Sequence, residues 1–193
     1  MKQLGDAHIK ANERSKESSR VDGKPPLRRT LLAPEYTDPL ALGMTKAMGL
    51  DNETLLSACQ TLEAPRGRMQ LAGRSAQGAA VFVDYAHTPD ALENALTALR
   101  SHLPESGRLL VMFGCGGDRD VGKRPEMGAA AEAHADRVVV TDDNPRHEDA
   151  ATIRAAIMTA CPQAQEIADR GAAIEAIIAE ARADDLVLLA GKG

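Results

Sequence analysis

Four short apolar runs with amphipathic helical patterns between them constrain the fold of this chain more than any other feature. Val81 to Val83, Leu109 to Phe113, Val138 to Val140 and Leu186 to Leu189 contain no polar residue. Runs of this length without alternation read as strands buried on both faces, as in a parallel sheet. The intervening positions Leu92, Ala95, Leu96, Leu99, then Ile153, Ala156, Ile157, Ala160, then Ile174, Ile177, Ile178, Ala181 each follow the i, i+3, i+4, i+7 spacing of one helix face. A further helix is predicted from Pro125 through an alanine-rich stretch to Ala135, with proline in the first turn, where its missing N–H costs nothing. Strand and helix in alternation specify an α/β architecture. The expectation is an open, mostly parallel, Rossmann-like sheet with right-handed crossovers and helices on both faces.

With 193 residues, 44% of them hydrophobic, the chain is long enough to bury a sizeable core. Its four aromatic residues are Tyr36, Phe82, Tyr85 and Phe113, so that core must be built from small aliphatic side chains, which suit helices packed on a parallel sheet. Cys59, Cys115 and Cys161 are scattered and odd in number, with no metal-binding spacing. Together with the lack of an apolar export segment, they predict a reducing, cytoplasmic setting. No stretch approaches the roughly 18 apolar residues of a membrane span.

The net charge of −5 is uneven: residues 1 to 33 carry eight Lys or Arg against four Asp or Glu, leaving the remainder at −9. The leader is broken by Gly23, Pro25 and Pro26 and has neither aromatic interleaving nor apolar periodicity. It reads as a solvated, disordered tail rather than a nucleic-acid-binding arm. Further along, Asp51 or Asn52 can cap a helix bearing Leu55, Cys59 and Leu62, which Pro65 and Gly67 end, so this helix and a linker precede the α/β body.

Ligands of open α/β sheets bind at the carboxyl ends of the strands, where loops meet helix N-termini. Four loops on that edge are chemically unusual: Asp84 to His87, Gly114 to Asp120, Asp142 to Arg146, and Gly191 to Gly193. The glycines of the second let backbone approach a ligand, and Arg119 beyond them offers a planar fork to a carboxylate or phosphate. By themselves they fit a plain strand-to-helix turn equally well. Asp143, Asn144, Pro145 and Arg146 place an acceptor, an amide and a guanidinium within four residues, enough to hold both poles of a zwitterion; the alternative is an Asn-Pro turn opening a helix, with Glu148 and Asp149 favourable near its N-terminus. Asp84 suits a sugar hydroxyl. His87 lacks companions at metal spacing, and Cys115 lacks a partner base. Neither GxGxxG nor GxxxxGK[ST] occurs.

Taken together, these loops resemble the C-terminal domain of the MurE-type ligases of the Mur ligase family over roughly residues 64 to 193. The residues that carry the resemblance are the Gly67-Arg68-Met69 step, the Asp84-Tyr85-Ala86-His87 motif, the segment from Phe113 to Pro125, the Asp143-Asn144-Pro145-Arg146 motif and Gly191. The resemblance implies that Arg68, Asp84 and His87 contact ATP. It implies that Arg119, Asp143, Asn144, Pro145, Arg146 and Gly191 bind meso-diaminopimelate, with Arg146 the specificity residue, since lysine-adding relatives differ at that position. No catalytic acid or base and no metal ligand is assigned to this chain. It divides the chain into a polar leader (1–33), the helical end of a central domain with its linker (34–70), and the C-terminal amino-acid-binding domain (71–193).

The implied reaction joins the amine of meso-diaminopimelate to a carboxylate of a UDP-linked muramoyl dipeptide in peptidoglycan synthesis, with ATP and Mg2+, and without nucleic-acid or membrane partners. The family's UDP-binding domain, phosphate-binding loop, metal site and closing His-Glu have no counterpart in these 193 residues. The expectation is therefore a part of a longer ligase, inactive alone. The alternatives are a non-catalytic amino-acid- or nucleotide-binding α/β module and a folylpolyglutamate synthase, against which the Asp143 to Arg146 motif argues.

Overall fold

The computed structural model describes residues 39–61 and 65–192, in two compact units divided between Glu63 and Ala64. The expected disorder of residues 1–33, and Leu62 of the expected helix face, lie outside the described residues. In the first unit, α1 spans Pro39–Ala47 and α2 spans Asn52–Thr61. Asp51 opens α2: its carboxylate accepts the Thr54 amide at 2.9 Å and the Thr54 hydroxyl at 2.6 Å, satisfying a donor that no helical carbonyl can reach.

The second unit is a six-stranded sheet. Its elements are β1 (Gln70–Arg74), β2 (Ala80–Asp84), α3 (Pro89–Arg100), β3 (Leu109–Phe113), α4 (Lys123–His134), β4 (Arg137–Val140), α5 (Ala150–Met158), β5 (Gln165–Glu166), α6 (Arg170–Glu180) and β6 (Leu186–Ala190). The strand order is β1-β2-β6-β3-β4-β5, with every pairing parallel except β1 with β2. The expected open, mostly parallel α/β sheet is the observed one. The last strand sits in the middle, and all residues of β3 and β6 are buried, as their uninterrupted apolar sequences require.

The expected helix faces are the packed ones. Leu92, Ala95, Leu96 and Leu99 of α3 are buried. Thr88 caps that helix by accepting the Ala91 amide, and Pro89 stands in its first turn. Asp149 and Asp169 cap α5 and α6 in the same way, through the amides of Thr152 and Ala172. One face of the sheet (Val81, Leu110, Met112, Val139, Val187, Leu189) is covered by Ala173 and Ile177 of α6. Here the predicted stripe is rotated: Ile174 and Ile178 flank the contact, and the alanine at 173 lets the helix lie close. Helices α3, α4 and α5 pack side by side. Rightward crossovers place them on one face, and the leftward return from β5 to β6 places α6 on the other.

Two strands were not expected. β1 has only Leu71 and Ala72 as apolar side chains, and it exists because its backbone pairs with β2 across a bulge between Leu71 and Gly73. β5 is two exposed residues at the far edge.

Asp185, 1% exposed in the turn before β6, ties the amino ends of β3 and β6 together. Its carboxylate accepts the Arg108 amide at 2.8 Å, the Arg108 guanidinium at 2.7 Å and the Arg182 amide at 2.9 Å. Burial alone pushes this carboxyl up, but the guanidinium and the two amides outweigh it and hold it below the usual carboxylate range. Asp136 is lowered likewise: its burial is outweighed by Arg100 and the Leu109 amide. An acid that titrates lower folded than unfolded contributes stability fully above its unfolded value, about 3.8, and loses it as pH falls through the folded value. Urea unfolding is therefore expected to show stability level from about pH 7 to 5 and falling below about pH 4. Asp185→Asn is expected to cost roughly 2–3 kcal/mol near neutrality and progressively less as pH falls below the unfolded value toward the folded one. A cost undiminished in acid means the carboxylate charge is not what holds the turn.

Candidate functional site

Because β2, β3, β4 and β6 are parallel, the loops that follow them share one edge of the sheet. The loop after β3 and the loop after β4 interlock there. The Gly117 amide donates to the Asn144 carbonyl at 2.8 Å, and the Arg146 guanidinium donates through Nη1 to the Gly117 carbonyl. The Asp118 amide donates to Glu148 Oε1 at 2.6 Å, and His147 Nδ1 lies 2.6 Å from Asp118 Oδ2. Glycine is required for this approach: a Cβ on Gly117 would stand 1.9 Å from the Pro145 carbonyl oxygen, and one on Gly114 would stand 2.3 Å from that of Thr141.

Backbone strain collects at the same edge. The non-glycine residues with left-handed backbone among those described are Met69 (φ 40°), Asp118 (φ 51°) and Arg146 (φ 51°). Such conformations persist where surrounding contacts over-determine them, commonly at ligand sites. At Asp118 and Arg146 those contacts are the loop-to-loop bonds just described. At Met69 the contact is with Asp84, whose Oδ2 accepts the Met69 amide at 2.7 Å while Oδ1 accepts that of Ala86 at 2.7 Å.

Arg119, two residues past Gly117, is exposed and has no hydrogen bond or ion pair among the described residues. Arg146 is exposed, and among the described residues its guanidinium has no hydrogen bond beyond that from Nη1 to the Gly117 carbonyl. Asn144 uses its side-chain oxygen to accept the Arg146 amide at 3.2 Å, and Pro145 accepts the Glu148 amide at 3.0 Å. Asp143 is half-buried and forms an ion pair with Lys192 at 3.0 Å, without hydrogen-bond geometry at that oxygen. Gly191, at φ 94°, donates its amide to the Asp84 carbonyl at 3.1 Å, joining the end of β6 to the end of β2.

On the β2 side, the Arg68 guanidinium lies 4.9 Å over the Tyr85 ring, and the Tyr85 and His87 rings meet edge to face at 4.8 Å. Lys123 reaches across from α4 to donate to the His87 carbonyl at 3.0 Å. The sequence-predicted residues thus form two groups on one edge: Arg68, Asp84 and His87 in one, and Arg119 with residues 143 to 146 in the other, with Gly191 contacting the first and Lys192 the second.

Several residues escaped the sequence reading. Tyr85 was visible only as a letter of a motif. Arg124 is 2% exposed in the first turn of α4 and donates to Glu148 at 2.7 Å, so Glu148, next to the N-cap of α5, also serves this pair. Glu148 raises the affinity of the Arg124 guanidinium for its proton, and Arg124, with the Asp118 amide, lowers that of Glu148. Arg170 opens α6 and donates to the Ala190 carbonyl at 3.0 Å; burial pushes its guanidinium down, offset in part by Asp143. Cys115 sits at the site but is buried, and burial raises its thiol to about 11, so it is protonated at neutral pH and makes a poor nucleophile.

Comparison with known proteins places this geometry. Residues 67–193 match the family model described as "Mur ligase, glutamate ligase domain". The chain is 52% identical over 154 residues to the UDP-N-acetylmuramoyl-L-alanyl-D-glutamate–2,6-diaminopimelate ligase of Caulobacter vibrioides, a match covering 80% of this chain and 31% of that protein. The protein of the same name from Zymomonas mobilis is also 52% identical, with the same coverage. A solved structure with that ligase name is 41% identical, with a TM-score of 0.61 over 79% of this chain and 31% of its own. E. coli FolC in complex with ADP, 25% identical, has a TM-score of 0.64 over 89% of this chain and 39% of its own. The chain thus spans about a third of the length of the relatives it matches. With its parallel sheet, its interlocked glycine and Asp-Asn-Pro-Arg loops and a match across most of its length, the chain belongs to the Mur ligase family, whose glutamate ligase domain occupies residues 67–193.

Proposed function

We propose that this chain is the amino-acid-binding part of an ATP-dependent ligase that adds meso-diaminopimelate to a UDP-linked muramoyl dipeptide in peptidoglycan synthesis. In this reading residues 71–193 are its C-terminal domain, and residues 34–70 are the end of the preceding domain with its linker. The observation that carries it is the interlock of the two loops, which holds the loop bearing Asp143 and Arg146 against the loop bearing Arg119, the residue next to the locked Asp118. A doubly zwitterionic amino acid needs such an alternation of charge. Asp143 suits an ammonium and Arg146 the distal carboxylate, while Asn144, Pro145 and Gly191 hold the backbone that carries them. Holding an amine in register with the carboxylate it joins contributes about 7–11 kcal/mol in effective molarity, so such a domain catalyses by placement.

The nucleotide side fits ATP. The Arg68–Tyr85–His87 stack presents a cationic and aromatic surface suited to a purine, and Tyr85 is 44% exposed. Each Asp84 oxygen keeps lone-pair capacity for a ribose hydroxyl beyond its bond to a backbone amide. When bound, ATP supplies the activation of the receiving carboxylate. Among the described residues no group of three or more His, Cys, Asp or Glu is placed to hold a metal. As the resemblance to the Mur ligases implies, the Mg2+ and the phosphates are assigned in this reading to parts of the ligase outside these residues. No helix among those described is long and apolar enough to cross a membrane; a cytoplasmic location follows from the proposed substrates.

Calorimetric titration of the 193-residue chain tests the reading. Meso-diaminopimelate is expected to bind at least about tenfold more tightly than lysine, because one charge-assisted contact is worth about 1.5–3 kcal/mol. Equal affinities overturn it. The chain alone is expected to yield no ligated product from ATP, meso-diaminopimelate and the UDP-linked dipeptide, since its sequence contains no GxxxxGK[ST] loop to cradle a terminal phosphate. Product from this polypeptide in a clean assay contradicts that expectation.

A further inference from the structure

Arg124 poses a problem that the amino-acid-binding role does not explain. A guanidinium 2% exposed, with its Nε buried and unpaired, is an expensive way to fill the start of α4, and an apolar side chain of similar volume would pack there at less cost. Among the described residues its charge is matched only by Glu148, at 2.7 Å, on the other loop. The same Glu148 oxygen accepts the amide of Asp118, the strained residue just before Arg119. Glu148 in turn lies two residues after Arg146, the strained residue opposite. A single carboxylate oxygen thus joins the helix behind one loop, the backbone of that loop and the backbone of the other.

We propose that Arg124 and Glu148 are a positioning pair: a buried clamp that fixes the separation of Arg119 and Arg146 and so sets the length of amino acid the edge accepts. Neither residue touches the amino acid. Pulling Glu148 onto Arg124 draws Pro145 over Gly117, and this leaves Asp118 and Arg146 no backbone conformation but the left-handed one. Without the clamp both residues relax toward ordinary φ, and the two guanidiniums lose their common register. The assignment of the ligand rests on the function proposed above; the clamp itself rests only on the geometry.

Glu148→Gln tests it. Glutamine keeps the shape and an oxygen for the Asp118 amide but loses the charge opposite Arg124. In the 15N-labelled 193-residue chain, amide exchange at Gly117, Asp118 and Arg146 is expected to accelerate about tenfold or more, while Leu110, Val139 and Leu188 exchange as in the parent. Affinity for meso-diaminopimelate is expected to fall about ten- to a hundredfold, with its advantage over lysine shrinking, because small misplacements cost this much. Arg124→Lys, which keeps the charge and loses the fork, is expected to give an intermediate result in both readouts and serves in place of Glu148→Gln should that variant not fold. Loop amides and selectivity both unchanged in either variant overturn the clamp. If the parent binds no meso-diaminopimelate but the loop amides loosen as described, the clamp stands and the ligand assignment falls. If the parent selects meso-diaminopimelate and the variants select it equally well, with loop amides unmoved, the clamp falls and the ligand assignment stands.

Discussion

Replacing Arg146 by alanine in a complete ligase carrying this domain is expected to raise the KM for meso-diaminopimelate about ten- to a hundredfold and to leave the use of lysine little changed. The two amino acids differ by one carboxylate on the distal carbon, so the selecting site must offer a cation where lysine has only hydrogen. Arg146 spends part of Nη1 on the Gly117 carbonyl, and its guanidinium has no other hydrogen bond among the described residues. That bond aims the guanidinium, and charge-assisted contacts to a carboxylate contribute about 1.5–3 kcal/mol each, with 1.4 kcal/mol per tenfold in affinity. Arg146→Lys is expected to recover only part of the loss, since an ammonium cannot make two parallel bonds. The left-handed backbone at φ 51° adds a control. Arg146→Gly removes the same guanidinium but suits that backbone, so it should be more stable than Arg146→Ala by about 1 kcal/mol and equally unselective. If Arg146→Ala discriminates between the two amino acids as the parent does, the distal carboxylate is met elsewhere, and Arg119 becomes the candidate.

Gly117→Ala is expected to be the most disruptive single methyl at the site. Its Cβ would lie 1.9 Å from the Pro145 carbonyl oxygen and 2.7 Å from the carbonyl carbon, both backbone atoms that cannot swing away. To admit it the two loops must part, breaking the Gly117–Asn144 bond and moving Arg146. A loss of about 1–3 kcal/mol in urea unfolding is expected, together with at least about a tenfold loss of meso-diaminopimelate binding. Gly73→Ala on edge strand β1, where a Cβ meets nothing within 4 Å, is the comparison and should change stability by no more than about 0.5 kcal/mol. Equal stability of the two variants would mean that the loops are not interlocked in solution.

Periodicity carried the fold. Leu92, Ala95, Leu96 and Leu99 are buried as their spacing requires, because a helix face has one register once its apolar stripe is set. The stripe of α6 was harder to read: Ile174, Ile177 and Ile178 all look core-facing, and only the packed helix shows Ala173 and Ile177 against the sheet. β1 and β5 were illegible for a different reason. Neither has an apolar run, and each is held by backbone pairing with a neighbour that the local sequence does not name.

At the candidate site the sequence marked residue types, and the fold decided their relations. Glycines before Arg119, and a proline between Asn144 and Arg146, announce tight turns from their own backbone limits. The strand pattern alone puts both turns on the carboxyl edge. Nothing local says that Gly117 lies under Pro145, that Arg68 stacks on Tyr85, or that Asp84 accepts the Met69 amide. Arg124 and Glu148 are 24 residues apart and each reads alone as an ordinary helix-terminus charge. Propensity, capping and apolar spacing act within a few residues, so one sequence read by itself determined the four buried strands, the helices between them and the edge where chemistry gathers. Which charges meet across that edge depends on contacts between loops far apart in the chain, and only the tertiary structure decided those.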